Sequence, residues 1–139
     1  MELSPVCYQE ELLAACAERN VAVVAYSPFG GCWLAKYFSA FVPWSHAFVF
    51  DDPAVQAVAR EAGCTPAQAT LAWVRSKGCA VIPKSLRPER IRESVVDVEL
   101  TADQVSRLDA LNDPRRGVGA SLEAHARIIA SDGYSWDPT

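Results

Sequence analysis

The chain has 139 residues and a formal net charge of −4, from 13 Lys and Arg against 17 Asp and Glu. That length suits a single domain with its own core, and the acidic balance argues against nucleic-acid binding, which needs a basic surface. Half of the residues are apolar and 22% are charged, as in soluble globular chains; no apolar run reaches the ~20 residues of a membrane span, and Met1 to Pro5 hold no basic secretory signal, so a cytoplasmic protein without a membrane partner is expected.

The first helical signal runs from Gln9 to Arg19, with Leu12, Leu13, Cys16 and Ala17 on one face and Asn20 able to close the helix in the left-handed conformation. Val21 to Tyr26 follows as an unbroken apolar run rich in Val, the pattern of a strand buried on both faces. Ser27-Pro28-Phe29-Gly30-Gly31 ends it. The stretch from 29 to 50 holds eight of the thirteen aromatic residues, including all five Phe. No helical or strand period organises them, so residues 32–50 read as an aromatic-rich loop. Loops of that length are usually functional; the alternative is that its rings cover core or a subunit contact.

Asp52-Pro53 reads as an N-cap with Pro at the first helical position, and Val55, Val58, Ala59 and Ala62 form one face before Gly63. Thr65-Pro66-Ala67-Gln68 is a capping box launching a helix through Leu71, Ala72 and Val74 to Gly78. Trp73 at helical spacing reads as packing. Cys79 to Pro83 is the second buried strand, and Pro88 to Val95 a short helix. Thr101 to Gln104 is another capping box, followed by Val105, Leu108 and Leu111. Ser121 to Ala130 is a last helix, and residues 121–139 form a C-terminal helix and tail.

Five cysteines with no CxxC pattern read as reduced thiols, several of them buried as small hydrophobes; with only His46 and His125 besides, no metal site is expected. Strands alternating with helices define an α/β fold with parallel strands. Only two strands are convincing, with a stub at Met1 to Ser4, against five to six helices. Two parallel strands cannot cover each other's edges or faces, so the sequence reads as part of a larger fold.

Three segments carry a family resemblance. Ala25-Tyr26-Ser27-Pro28-Phe29-Gly30 resembles the A-Y-S-P-L-G segment of aldo-keto reductases. Thr65-Pro66-Ala67-Gln68 with Leu71-Ala72-Trp73 resembles their T-P-A-Q-x-x-L-x-W helix. Val81 to Ser94 resembles their I-P-K-S-x-x-P-E-R-I-x-E-N cofactor motif. The family fold is a (β/α)8 TIM barrel, for which roughly 250 residues are typical. The resemblance places residues 1–139 as a partial, C-terminal portion of that barrel, from about the sixth strand onward, with the Val21 run as the seventh strand and the Cys79 run as the eighth.

The resemblance implies hydride transfer from NADPH to an aldehyde or ketone, with NADP(H) as cofactor. It also implies a catalytic Asp-Tyr-Lys-His tetrad in an N-terminal half; no residue here matches a tetrad position, Tyr8, Tyr26, Lys36 and His46 included. By the same resemblance, Lys84 and Ser85 meet the 2′-phosphate and Arg90 meets it or stacks on adenine. Leu86 belongs to the same motif. Glu93 accepts from the adenine amino group, and Ser94 replaces the usual Asn. Arg87 adds a further cation that would favour NADP over NAD. Tyr26 stacks on the nicotinamide, and Ser27, Phe29 and Gly30 pass under the pyrophosphate. The 32–50 loop would sit over the substrate mouth.

The chain alone is expected to be inactive, accepting a small carbonyl substrate only when the N-terminal half is supplied. The competing reading is a non-catalytic NADP-binding or interaction module that pairs with another chain, with self-association favoured by an open barrel edge. A helix-turn-helix at the Gly63–Thr65 junction is disfavoured by the acidic charge.

Overall fold

The computed structural model describes residues 3–30 and 49–112. In chain order the elements are α1 (Glu10–Glu18), β1 (Val24–Ala25), a 3₁₀ turn (Val49–Asp51), α2 (Pro53–Glu61), α3 (Pro66–Ser76), β2 (Ala80–Val81), α4 (Pro88–Ser94) and α5 (Ala102–Asp109). The aromatic stretch from Cys32 to Phe48 and the helix and tail from Ser121 onward lie outside the described residues. No helix among the described residues is long and apolar enough to cross a membrane.

The helix starts follow their caps. Asp52 Oδ1 accepts from the Ala54 N–H at 2.8 Å, with Pro53 opening the first turn of α2. Thr65 and Thr101 each close a full capping box: the threonine oxygen accepts from the N–H of Gln68 or Gln104, and the glutamine side chain accepts from the threonine N–H. Each such cap contributes about 1 kcal/mol. Asn20, Gly63 and Gly78 all adopt positive φ and turn the chain out of α1, α2 and α3.

β1 and β2 pair in parallel, with Val24 opposite Ala80 and Ala25 opposite Val81. The bond from Ile82 N to Ala25 O extends the ladder one residue further. The core lies on one side of this pair. Val55, Val58 and Ala59 of α2, Ala69, Trp73 and Val74 of α3, and Leu108 of α5 close around Ala25, Val49 and Leu3. Trp73 is fully buried and meets Tyr8 edge-on at 5.3 Å, so its packing role is as expected.

Four expectations need correction. The two strands are two residues long, not five or six, and they are not buried on both faces: Val21, Val24, Tyr26 and Ile82 are each about half exposed, and only Ala25 and Cys79 are buried. The apolar character of these runs points to two covered faces, yet among the described residues the helices cover one. Of the stub expected at Met1 to Ser4, the described Leu3 and Ser4 add no strand to the pair; Ser4 instead makes an isolated antiparallel bridge with Cys7 across a tight turn. Finally, α1 carries no buried residue, and of its apolar face only Leu13 packs on the core. Cys7 and Cys79 are buried, as expected for small hydrophobes, while Cys16 and Cys64 are half-buried.

Candidate functional site

The parallel pairing brings the two loop motifs to the same end of the strands. Residues 26–30 leave the C-terminal end of β1, and residues 82–87 leave the C-terminal end of β2. Active sites of α/β folds are built at this edge. A cleft of about 720 Å³ opens there. Of the sequence-derived residues, Phe29, Lys84, Ser85, Arg90, Glu93 and Ser94 line it.

The other sequence-derived residues are placed differently. Tyr26 stands at the end of β1, about half exposed, and Ser27 follows at φ +48°. The Ser27 carbonyl accepts from the Gly30 N–H at 2.9 Å, closing a turn around Pro28 and Phe29. Gly30 itself has φ +80°, a conformation glycine adopts without steric cost. The Ser27–Gly30 turn positions Phe29, and none of Tyr26, Ser27 and Gly30 lines the cleft. Leu86 is 84% exposed and does not line the cleft, and Arg87 sits at the N-cap position of α4, outside it.

Charge is distributed unevenly. Among the described residues, Arg19, Arg75, Lys77 and Arg107 are each held in an ion pair. Lys84, Arg87, Arg90 and Arg92 are in none, and the only other described cation in that condition is Arg60. Two of these, Lys84 and Arg90, line the cleft. Ser85 Oγ accepts from the Arg87 N–H at 3.1 Å, which leaves its own proton to donate outward. Ser94 Oγ donates to the Ile91 carbonyl one turn back at 2.8 Å, so its hydroxyl is partly spent on its own helix.

The opposite wall was not anticipated as a site wall. It consists of Thr65, Pro66 and Ala67 from the start of α3, with Phe50 beneath. Thr65 Oγ1 donates to Glu93 Oε1, and Gln68 Nε2 donates to the Glu93 carbonyl at 3.4 Å. Phe50 packs on Phe29 with ring centroids 4.8 Å apart. In sequence, Thr65 to Gln68 is visible as a capping box, but nothing local reveals that it abuts α4, twenty-five residues on. Chemically, two cations without an ion pair among the described residues, a serine donor, a fixed carboxylate and an apolar aromatic floor suit a ligand that joins a phosphate to a flat heteroaromatic ring.

The comparisons with known proteins agree with the motifs. The model of the aldo/keto reductase family matches residues 1–113. The chain is 35% identical over 118 residues to an aldose reductase of Encephalitozoon cuniculi, covering 85% of this chain and 36% of that protein. It is 33% identical over 137 residues to Aldo-keto reductase family 1 member A1 of Bos taurus, covering 95% and 40%. It is 37% identical over 118 residues to an aldo-keto reductase of Mycolicibacterium vanbaalenii, covering 84% and 37%. The fold and motifs define an α/β protein built on parallel strands. The chain belongs to the aldo/keto reductase family, whose fold is the (β/α)8 barrel, and it spans well under half the length of these relatives.

Proposed function

We propose that these residues are the cofactor-binding, C-terminal portion of an NADP-dependent oxidoreductase that reduces aldehydes or ketones. The observation that supports this most directly is the convergence of Phe29, from one motif, with Lys84, Ser85, Arg90 and Glu93, from another, on a single cleft whose cations have no protein partner among the described residues. When bound, NADPH supplies the hydride that adds to the carbonyl carbon.

The chain's own residues bind and orient. Lys84 and Arg90 neutralise the 2′-phosphate dianion and Ser85 donates to it, while Arg87 adds long-range attraction from the rim. Glu93 accepts from the adenine amino group. Ser94, already bonded to its own helix, contributes less than an amide side chain would. Leu86 is a spacer in the loop. Tyr26 stacks on the nicotinamide at the end of β1, with Ser27, Phe29 and Gly30 forming the turn along which the pyrophosphate lies.

None of the 139 residues matches the family's Asp-Tyr-Lys-His tetrad. The proton donor for the forming alkoxide therefore comes from outside this sequence, and the 139-residue chain is expected to oxidise no NADPH in the presence of a carbonyl compound. A second reading, a non-catalytic NADP-binding module that pairs with another chain or with itself, draws on the half-exposed Val21, Val24 and Ile82 of the strand pair, which suit coverage by further strands.

Titration of wild type and the Lys84→Ala/Arg90→Ala double variant with NADP⁺ and NAD⁺, followed by calorimetry, tests the assignment. Each lost charged hydrogen bond removes about 1.5–3 kcal/mol, so with two lost NADP⁺ affinity should fall on the order of 100-fold or more with NAD⁺ little changed. Equal losses for both would mean that the 2′-phosphate sits elsewhere.

A further inference from the structure

The bond between Thr65 and Glu93 links two helices that the sequence keeps apart. Thr65 is the N-cap of α3 and Glu93 lies in the last turn of α4. A hydroxyl has one proton and two acceptor lone pairs. The Thr65 oxygen uses a lone pair on the Gln68 N–H at 3.2 Å and its proton on Glu93 Oε1. Among the described residues, Glu93 Oε2 has no hydrogen bond. Gln68 makes a second tie between the same helices through the Glu93 carbonyl. An unrestrained glutamate loses rotamer freedom when a ligand orders it; a carboxylate already held at one oxygen has less to lose.

We propose that Thr65 is a positioning residue for reading the base. Its hydroxyl holds one Glu93 oxygen and leaves the other to accept from an exocyclic amino group, so that the cleft prefers a 6-aminopurine over a 6-oxopurine. This rests on the reading of the cleft as an NADP site. A 6-oxopurine places a carbonyl oxygen where the amino group would stand. A fixed carboxylate meets it with repulsion, whereas a mobile one turns away. The preference therefore depends on the tether as well as on Glu93.

The test compares dissociation constants for NADP⁺ and for its analogue carrying hypoxanthine in place of adenine, on the full 139-residue chain. Wild type should favour NADP⁺ by about tenfold or more, the worth of one hydrogen bond to a charged group. Glu93→Gln should remove most of that ratio. Thr65→Val should lower the ratio severalfold, chiefly by weakening NADP⁺, and Thr65→Ser should restore it. Because Thr65→Val also loses the helix cap, Thr65→Asp serves as the second variant. Aspartate caps as well as threonine but cannot donate to Glu93 and repels it, so the ratio should fall even though the cap is kept. Any weakening of phosphate binding by the added charge acts on both ligands and cancels in the ratio. A wild-type ratio retained in both Thr65→Val and Thr65→Asp, with Glu93→Gln losing it, overturns the positioning role alone. Failure of wild type to bind NADP⁺, or a ratio insensitive to Glu93→Gln, overturns the cofactor reading and this inference with it.

Discussion

Lys77 Nζ lies 2.6 Å from Asp109 Oδ1, and the same oxygen accepts from the indole N–H of Trp73 at 2.8 Å. One carboxylate oxygen at the end of α5 therefore satisfies the polar edge of the largest fully buried side chain among the described residues and a lysine whose side chain is only 13% exposed. The Lys77 ammonium also sits over the Tyr8 ring at 4.6 Å and the Trp73 ring at 5.3 Å, a favourable arrangement for a cation that has left most of its water. Tyr8 N donates to Asn112 Oδ1 at 3.0 Å, so the cluster ties the N-terminal segment to the far end of the described chain.

Removing that carboxylate leaves a buried donor and a mostly buried cation without a partner. Asp109→Ala should therefore cost about 2–4 kcal/mol in urea unfolding. Asp109→Asn keeps an acceptor for Trp73 and should cost less than half as much. Equal losses would show that the ion pair, not the indole bond, dominates.

Gly30 sets the turn that carries Phe29 into the cleft. A Cβ there would stand 3.2 Å from Val49 Cγ2, and φ +80° is strained for any side chain. Gly30→Ala should lower stability by about 1–2 kcal/mol and loosen NADP⁺ binding through the displaced Phe29. Calorimetric melting together with a cofactor titration reads both; a variant as stable as wild type would show that the turn relaxes freely.

How much of this was legible depends on the range of the interaction. Caps and helix stops are local, and Asp52, Thr65, Gly63, Gly78 and Thr101 behave as their residue types dictate. The faces of α2 and α5 follow from helical spacing, and Val55, Val58, Ala59 and Leu108 are buried accordingly. The strands were misjudged because an apolar run reports the environment it is suited to. Among the described residues, Val21, Val24 and Ile82 have neighbours on one side only. In the cleft, Lys84, Ser85, Arg90 and Glu93 belong to one contiguous motif and could be seen together. Thr65 and Phe50 could not, because their presence depends on how α3 and the 3₁₀ turn pack against α4.

Glu61 and Arg107 form a two-pronged ion pair, at 2.6 and 3.0 Å, joining α2 to α5. The Arg107 hydrogen bonds hold the Glu61 carboxyl below the usual glutamate range and, in turn, raise the guanidinium. A carboxyl lowered on folding contributes stability that is present above its unfolded value of about 4.3. That stability is lost as pH falls through the folded value. The melting temperature of wild type should accordingly drop more steeply than that of Glu61→Gln as pH is taken from about 5 to 3. Both groups are solvent-accessible, so the difference should shrink in high salt. Parallel curves would mean that the pair adds nothing to folding.

Burial pushes the Cys79 thiol above its ordinary value, with the neighbouring Cys16 adding to the shift, and burial does the same for Cys64. The thiolate is the reactive form, so both should react slowly with a disulfide reagent at pH 7 and rapidly after unfolding. A thiol raised on folding contributes stability below its unfolded value of about 8.5, and that contribution is lost as pH rises through the folded value. Cys79→Ser, which puts a hydroxyl in a core position, should remove this alkaline sensitivity at some cost in stability. Fast labelling of Cys79 in the folded chain would show that β2 opens readily.

A melt of the 139-residue chain with and without NADP⁺ addresses the cofactor reading most broadly. A ligand at 100 times its dissociation constant adds about 2.7 kcal/mol to the folded state, which for a domain of this size raises the midpoint on the order of 10 °C. Under that reading, wild type should show this rise, and it should be larger with NADP⁺ than with NAD⁺ at equal concentration. Lys84→Ala/Arg90→Ala should reduce the NADP⁺ shift to the size seen with NAD⁺. A cooperative transition that neither nucleotide moves would overturn the reading of the cleft as a cofactor site. A broad transition would mean that the exposed strand pair must be covered before the helices can fold cooperatively around it.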